Sequence, residues 1–321
     1  MQLAPIAVST YSRINHLKQT IDALQKNTLA KQSELYIFSD APKDGDEEIV
    51  GIVREFIHTI DGFKKVHIIE RETNGRVANN RGGIEELLEK YEKIIFLEDD
   101  IVTSAYFLEY MNDALHFYKN DNRISSIAGY CPPMKIPVEY KQDSFILHRF
   151  APWGFAIWKD SYEKYFQKID EDTFKNYFAN KKFMKQLIED SGEESLVGIK
   201  LDAQGLLDMG DAKMIFWQNV YKVYTLYPRE SLVKNIGQDG SGVHMGITDK
   251  WDTEIGRQKK FTFIENIQPD DNIRKSHKKF YSISKRNKLI NILNQMGMFN
   301  YIYPVYKIFS NLKSNMKKVN L

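Results

Sequence analysis

The chain has 321 residues, 42% of them hydrophobic and 27% charged, which is the composition of a globular protein with one or two domains. Its net charge is only +2. Because Cys131 is its single cysteine, an internal disulfide and a zinc site made of thiolates are both excluded, and the reducing cytoplasm is the favoured compartment. No run of about 18 apolar residues is present and the N-terminus lacks a basic signal region, so neither a transmembrane helix nor a signal peptide is expected.

Strand-like and helix-like patterns alternate over the first 130 residues. Short, continuous apolar runs predict five buried strands, at residues 4–9, 35–39, 66–69, 94–97 and 124–128. Apolar residues recur at helical spacing between these runs, and the second helix is predicted to bury the face formed by Ile49, Ile52, Val53 and Phe56. This alternation predicts an α/β fold with a mainly parallel central sheet that is flanked by helices.

The alternation stops after residue 130, where prolines interrupt the chain. Residues 145–158 are predicted to be extended, and residues 160–225 are predicted to be mostly helical. Residues 223–227 have the pattern of another strand, and the glycine-rich residues 237–246 are predicted to form a loop.

The chain is predicted to consist of a main domain, residues 1–270, that divides at residue 130, and a C-terminal segment, residues 271–321. From residue 272 onward there are eleven basic and no acidic side chains, and the pattern is that of a basic amphipathic helical segment. Residues 1–271 carry 34 basic against 43 acidic side chains, so the basic segment is expected to have a partner of its own.

Polar residues follow four successive predicted strands. They are residues 9–13 after the first strand, Asp40 after the second, residues 70–76 after the third and Glu98-Asp99-Asp100 after the fourth. Because parallel strands bring their carboxyl ends to one edge of a sheet, where α/β proteins bind ligands, we expect these residues to line one site.

The acidic triplet Glu98-Asp99-Asp100 follows a buried strand directly. Three adjacent carboxylates repel one another, and a divalent cation among them lowers this repulsion. Carboxylate oxygens suit Mn²⁺ or Mg²⁺, which keep positions open for phosphate oxygens and water. The alternative is that the acids interact with the dipole of the helix that begins near Ser104. The position after a buried strand favours the metal site, with Asp100 as the predicted ligand.

Three further polar positions are candidates for ligand contacts, and two of them also have a plainer interpretation. Asp40 is a candidate for a hydrogen bond to a nucleoside, or it is a turn residue before Pro42. Arg13 is a candidate for a contact with phosphate or base, or it is a solvated side chain. Asn80 lies beside Asn79 near the start of a helix, whose N-terminus favours an anion.

Several motifs, in this order, resemble those of the nucleotide-diphospho-sugar transferases with the glycosyltransferase-A fold. The motifs occupy residues 5–13, 74–83, 94–101, 153–158 and 231–244. The second and third are similar to those of the bacterial family-2-type sugar transferases, which in turn resemble the N-acetylglucosaminyltransferase I family. The resemblance covers roughly residues 4–250.

The resemblance implies a nucleotide-sugar donor, with a UDP-sugar favoured, and a cation, Mn²⁺ or Mg²⁺, bound by Asp100. It implies that residues 1–130 bind the nucleotide and residues 131–270 bind the acceptor. The expected donor-binding residues are Thr10, Tyr11, Arg13, Asp40, Asn74, Asn80, Glu98, Asp99 and His244. A plain surface position in the loop is the alternative for His244.

The resemblance also implies a catalytic Asp and an acceptor site. In the relatives the Asp stands in a Trp-Asp-containing helix before a Tyr-Pro pair, and counting back from Tyr227-Pro228 places it at Asp211. Gly210 stands where the Trp is usual, so Asp202 and Asp208 stay open as alternatives. A helix N-cap is the plainer interpretation of Asp211 itself. Acceptor contacts are expected at Trp153 and Gly154, although a core position is the alternative for Trp153.

The sequence therefore predicts a metal-dependent, inverting glycosyltransferase, of the hexosyl or N-acetylhexosaminyl type. Its acceptor is expected to be a saccharide or a lipid-linked saccharide, as in the synthesis of a cell-envelope polysaccharide. One alternative is a sugar-phosphate nucleotidyltransferase, but that class needs a glycine-rich loop after the first strand and residues 9–13 contain no glycine. The other alternative is an inactive sugar-binding module, which the intact acidic triplet disfavours.

The basic segment adds an expectation about location. Residues 285–316 combine apolar residues with Lys and Arg, so they are candidates for peripheral contact with the anionic inner face of the cytoplasmic membrane. The alternative is a pair of helices packed on the main domain. Nucleic acid is not an expected partner, because the main domain is acidic and no nucleic-acid-binding motif is present.

Overall fold

The computed structural model describes residues 2–206, 208–241 and 248–283. The strands in these ranges are β1 (Ile6–Thr10), β2 (Glu34–Ser39), β3 (Lys65–Glu70), β4 (Lys93–Glu98), β5 (Ile101–Thr103), β6 (Ile124–Ala128), β7 (Ser144–Leu147), β8 (Phe155–Trp158), β9 (Tyr224–Pro228) and β10 (Val233–Asn235). The helices are α1 (Ile14–Gln25), α2 (Glu47–Ile57), α3 (Arg76–Tyr91), α4 (Phe107–Phe117), α5 (Lys159–Tyr165), α6 (Glu171–Ala179), α7 (Lys181–Ser191), α8 (Ser195–Ala203), α9 (Gly210–Tyr221) and α10 (Asp271–Phe280).

Eight of the described strands form one sheet in the order β3-β2-β1-β4-β8-β6-β9-β7. The strands β3, β2, β1 and β4 are mutually parallel, and β6 and β9 run in the same direction as these four. Only β8 and β7 run against them. The α/β fold with a mainly parallel central sheet is therefore confirmed, and the carboxyl ends of β1, β2 and β4 lie at one edge.

The central strands are buried on both faces because side chains alternate between two hydrophobic clusters. In β1, Ile6 and Val8 pack with α1 and α4, whereas Ala7 faces the cluster that contains α3 and α9. Such strands need continuous apolar runs, which is the pattern that the sequence shows. The strand positions predicted for the first 130 residues are confirmed to within two residues at each end.

The prediction for α2 was right only in part, since Val53 is buried and Phe56 packs against the core but Ile49 and Ile52 do not. The structure buries Val50, Val53 and Ile57, whereas the side chains of Ile49 and Ile52 are 43% and 46% exposed. Both sets of residues recur at helical spacing, so the periodicity permits either face. Only the packing of α2 against the core decides which stripe is buried.

A second, two-stranded sheet pairs β5 with β10 in antiparallel register, with Asn235 opposite Ile101. This sheet was not predicted from the sequence, because strands of three residues within loops produce no recognisable periodicity. The region that was predicted to be extended, residues 145–158, contains two strands, β7 and β8, that lie apart in the main sheet.

Cys131 is buried, and burial, with a smaller contribution from Glu230, raises the pKa of its thiol to about 12. A thiol that stays protonated is a poor nucleophile, so the position is one of packing.

The described part of the C-terminal segment begins with α10, which packs against α7 within the compact unit that extends to Phe280. Ile273 and His277 are its buried residues, and Arg274 pairs with Asp190 at 3.3 Å. Among the described residues no helix is long and apolar enough to span a bilayer. The basic amphipathic residues 285–316 lie outside the described ranges.

Candidate active site

The acidic triplet lies at the carboxyl edge of the main sheet, where β4 ends. Its backbone is held from two sides: the Thr20 hydroxyl donates to the Asp99 carbonyl at 2.8 Å, and the Ile236 amide donates to the Asp100 carbonyl at 2.9 Å. The side chains of Asp99 and Asp100 are only 5% and 9% exposed. Two carboxylates are therefore fixed side by side in a poorly hydrated position.

Arg13 bridges these two carboxylates. Its Nη2 donates to Asp99 Oδ1 and, at 2.8 Å, to Asp100 Oδ2. The Thr10 hydroxyl donates to the other oxygen of Asp99 at 3.2 Å. Asp100 Oδ1 is buried and has no hydrogen-bond partner among the described residues. An unpaired buried carboxylate oxygen is costly, so this atom is a candidate for contact with a ligand.

The electrostatics of the cluster follow from burial and from repulsion between the acids. Burial raises the pKa of Asp99, and the charge of Arg13 opposes this rise. Burial, followed by repulsion from Asp100, raises the pKa of Glu98 to about 7. Burial lowers the pKa of Arg13, but attraction to Asp99 and Asp100 more than offsets it, so that the guanidinium stays charged. Among the described residues, Arg13 pairs with Asp99 and Asp100, and Arg76 lies 3.9 Å from Glu98, so three acids face two cations.

Helix α3 brings amide side chains to the same edge. Asn80 donates to Glu98 Oε1 at 3.1 Å and accepts from the Ser9 hydroxyl, and Asn79 donates to that hydroxyl at 3.2 Å. The helix approaches β2 closely at Gly83, where an added Cβ would lie 2.8 Å from the Phe38 ring. The glycine thus lets the first turns of α3 reach the strand ends.

Asp40 joins the two loops that follow β2 and β3. Its carboxylate accepts from the Ala41 amide at 2.9 Å, from the Gly75 amide at 3.0 Å and from the Asn74 amide group at 3.3 Å. The Asp40 backbone amide donates to the Thr10 carbonyl at 3.0 Å. The structure thus brings Thr10, Asp40 and Asn74 together and shows Asp40 organising the loops around this edge.

Tyr11 lies on the outer side of these loops. Its hydroxyl donates to the Asp46 carboxylate and accepts from the Lys43 amide at 3.0 Å. It therefore braces the loop that leads into α2.

Gly237 lies directly over the acidic pair, a contact that the sequence analysis missed. The pairing of Asn235 with Ile101 carries the chain back to the triplet two residues later. A Cβ at Gly237 would overlap Asp100 Oδ2 and lie 2.8 Å from Arg13 Nη1. The glycine-rich stretch signalled a close backbone approach, but not which residue it approaches.

Replacing Gly237 by Ala is expected to lower kcat/KM by about 10- to 100-fold, because overpacking of this kind costs about 1–3 kcal/mol and displaces the Asp100 and Arg13 side chains. Gly51→Ala is the control, since Gly51, like Gly237, does not have a left-handed φ, and no atom lies within 4 Å of its added Cβ. Steady-state kinetics of both variants test this. Equal losses in the two variants would contradict the assigned overlap.

The acidic cluster offers a cation few ligands of its own. Within the described ranges no group of three or more His, Cys, Asp or Glu side chains is placed to hold a metal on its own. One orphaned carboxylate oxygen, Asp100 Oδ1, does fit a cation that takes its other ligands from phosphate oxygens and water. The residues therefore fit a cation that is shared with a ligand, with Asp100 as the protein's contribution.

Asp211 lies in the first turn of α9, at a half-buried position. Its side chain does not cap the helix, and the N-cap residue is Met209. Burial raises the pKa of Asp211, against the attraction of Arg149. Gly210, which stands where a Trp was expected, packs against Phe166: an added Cβ would lie 2.9 Å from that ring. A larger residue has no room there.

A salt-bridge network connects α9 to α3. Arg81, the neighbour of Asn80, donates to both carboxylate oxygens of Asp208, at 2.9 and 3.1 Å. Lys213 is buried and pairs with Asp208 and, at 3.5 Å, with Asp202. The start of α9 therefore lies near the end of α3 that contacts Glu98. No described hydrogen bond or ion pair joins Asp211 to the triplet itself.

The predicted acceptor residues, Trp153 and Gly154, directly precede β8. Trp153 is partly buried and makes edge contacts with Tyr130 and Trp251, at centroid distances of 4.7 and 6.0 Å. Gly154 is buried with φ +62°, and its Cβ would lie 3.1 Å from Val233. His244 lies outside the described residues. Arg149, which is close enough to Asp211 to affect its pKa, was not singled out from the sequence.

Comparison with known proteins finds one family profile, described as "Glycosyl transferase family 2", which matches residues 6–187. No curated protein matches the chain by sequence.

Three solved structures illustrate the similarity. TarS of S. aureus is 12% identical with a TM-score of 0.39, over 72% of this chain and 36% of TarS. Its fragment 1–349 in complex with UDP-GlcNAc is 14% identical with a TM-score of 0.34, over 51% of this chain and 48% of the fragment. The mannosyltransferase PcManGT of Pyrobaculum calidifontis, in complex with GDP-Man and Mn²⁺, is 14% identical with a TM-score of 0.34, over 50% of this chain and 45% of that one. The chain thus matches half or less of the length of each structure.

Proposed function

On the premise that the chain belongs to glycosyl transferase family 2 and is a glycosyltransferase, we propose that it transfers a sugar from a nucleoside diphosphate sugar, with a UDP-sugar favoured. The transfer would be assisted by Mn²⁺ or Mg²⁺ and would invert the configuration at the anomeric carbon. The observation that carries this proposal is the buried Asp100, whose Oδ1 has no partner among the described residues, at the edge where β1, β2 and β4 end. Ligands of parallel α/β sheets bind at this edge.

The donor is proposed to lie over the strand ends. Asp100 would hold the cation, and Arg13 and the amides around the start of α3 would contact the diphosphate and sugar. The loops that Asp40 holds together would enclose the nucleoside. Bound there, the cation would compensate the negative charge that develops on the departing nucleoside diphosphate. Glu98 would orient the donor through Asn80, with which it is already hydrogen-bonded, and Asp99 would support the surroundings of the cation.

Asp211 is proposed to be the base. Its carboxylate would accept the proton of the acceptor hydroxyl while that oxygen forms a bond to the anomeric carbon and the bond to the diphosphate oxygen breaks. A raised pKa supports this role, because a more basic carboxylate accepts a proton more readily. The alternatives Asp202 and Asp208 are less suitable, because both are paired with the buried Lys213.

The acceptor is proposed to be a saccharide or a lipid-linked saccharide that approaches the start of α9. Trp153 would offer an apolar ring face beside the reaction centre, as aromatic side chains do for sugars. The transferred group would be a hexose or an N-acetylhexosamine. A peripheral membrane contact through residues 285–316 would serve a lipid-linked acceptor and stays a prediction, as do the donor and acceptor halves at 1–130 and 131–270.

Thermal unfolding in the presence of nucleotide sugars tests the donor proposal. UDP-, GDP- and CMP-sugars are compared with and without Mn²⁺. A donor at a hundredfold excess over its dissociation constant should stabilise the protein by about 2.7 kcal/mol, and only when Mn²⁺ is also present. The protein with Mn²⁺ and no nucleotide is the baseline. The proposal fails if no nucleotide sugar stabilises the protein either with or without Mn²⁺. That result would indicate a site that is inactive or that binds another kind of ligand.

A further inference from the structure

We propose that Arg13 is an internal counterion that competes with the divalent cation for Asp100, so that the cation binds well only when a nucleoside diphosphate arrives with it and draws Arg13 away. The inference rests on the proposed role of Asp100 as a cation ligand. The proposed function gives Arg13 only a contact with the donor, whereas this inference has Arg13 also regulate how tightly the cation binds.

The contacts of Arg13 carry the first step. One guanidinium nitrogen, Nη2, donates to both carboxylates of the pair, and its distance to Asp100 Oδ2 is 2.8 Å. The orphaned Oδ1 belongs to the same carboxylate. A cation on that oxygen would therefore lie within a few ångströms of a positive guanidinium, where the two charges repel strongly in a poorly hydrated site.

While Arg13 is bound to Asp99 and Asp100, neighbouring atoms restrict the movement of its side chain. The Gly237 backbone covers the guanidinium, since an added Cβ would lie 2.8 Å from Nη1. The Arg13 side chain is 23% exposed, however, so one side remains open to solvent. Arg13 can thus leave the carboxylates only towards that open side, which is where a ligand would enter.

The charges decide when Arg13 leaves. Without a ligand, Arg13 is the one cation within salt-bridge distance of Asp99 and Asp100 among the described residues. A divalent cation alone would free Arg13 without giving it a new partner. A diphosphate supplies that partner, because guanidinium groups bind phosphate oxygens with paired hydrogen bonds. Cation and nucleotide should therefore each strengthen the binding of the other, by the same factor.

Calorimetric titration with Mn²⁺, in the absence and presence of UDP, tests the proposal on the full chain. In the wild-type protein UDP should tighten Mn²⁺ binding by about 10-fold or more, within the usual range of coupling between sites. Arg13→Gln keeps a polar, hydrogen-bonding side chain, although a shorter one, and removes the charge. It should bind Mn²⁺ alone about 10-fold more tightly than the wild type, and the effect of UDP should shrink.

Arg13→Lys and Asp100→Asn are the matched controls. The lysine keeps the charge, so weak binding of Mn²⁺ alone should persist, whereas Asp100→Asn should bind no Mn²⁺ under either condition. If Arg13→Gln is too unstable to titrate, the midpoint of thermal unfolding replaces calorimetry: Mn²⁺ alone should raise it more for this variant than for the wild type.

Two results would overturn the proposal and can be told apart. If Arg13→Gln binds Mn²⁺ alone no more tightly than the wild type, while UDP still promotes Mn²⁺ binding in both, the competition is wrong and the proposed function stands. If Mn²⁺ does not bind the wild-type protein even with UDP, the cation's role in the proposed function fails as well.

Discussion

Asp100→Asn is expected to lower kcat/KM for sugar transfer by about a hundredfold or more, since loss of a group that stabilises the charge of the transition state costs about that much. The asparagine keeps the shape of the side chain and an oxygen for Arg13, but it removes the charge that a cation needs. Nucleotide binding should also lose its dependence on Mn²⁺. Steady-state kinetics and calorimetry with UDP and Mn²⁺ measure the two effects.

The matched control for Asp100→Asn is Asp22→Asn, which makes the same chemical change on the exposed face of α1. It should leave both kinetics and Mn²⁺ dependence unchanged. The variant Asp100→Asn should unfold at nearly the wild-type temperature, because the buried repulsion between carboxylates is relieved when one charge is removed. Retention of full Mn²⁺-dependent activity in Asp100→Asn would refute the assignment of Asp100.

Asp211→Asn is expected to lower kcat by about 10²- to 10⁴-fold while leaving the dissociation constant of the donor unchanged, because a general base acts only in the transition state. Asp172→Asn, an exposed position on α6, is the control. Single-turnover transfer and donor binding, measured separately, provide the test. A loss of donor affinity with unchanged kcat would instead identify Asp211 as a binding residue.

The pH dependence provides a second test of Asp211. Burial raises the pKa of this carboxyl, and only its ionised form accepts a proton. The rate should therefore fall as the pH is lowered through that raised pKa, at a higher pH than for an ordinary aspartate. Asp211→Asn should lose this acidic limb of the profile. An unchanged limb in the variant would assign the titration to another group.

Much of the fold and part of the site follow from the sequence. Buried strands of a parallel sheet need apolar residues on both faces, so β1, β2 and β4 appear as continuous apolar runs with sharp polar ends. Parallel direction then brings these ends to one edge, which is why Thr10, Asp40 and Asp100 could be placed together before their contacts were known. Four of the five motifs that resemble sugar transferases overlap the region that the family profile matches, residues 6–187, whereas the motif at residues 231–244 lies outside it.

Other features of the site depend on pairings between distant parts of the chain. The sequence offered Arg13 either a phosphate or plain solvation, and the structure places it on Asp99 and Asp100. The sequence shows that residues 237–246 are rich in glycine. The pairing of β5 with β10 then places Gly237 over Asp100.

By itself the sequence determined the parallel strands β1, β2, β3, β4 and β6 and the edge at which polar residues gather, because these depend on local periodicity and on the connections between neighbouring elements. Only the tertiary structure decided which stripe of α2 is buried, which cation compensates the acidic pair and which backbone lies over it. Several arrangements satisfy the local pattern equally well, and only the packing of residues far apart in the chain selects among them.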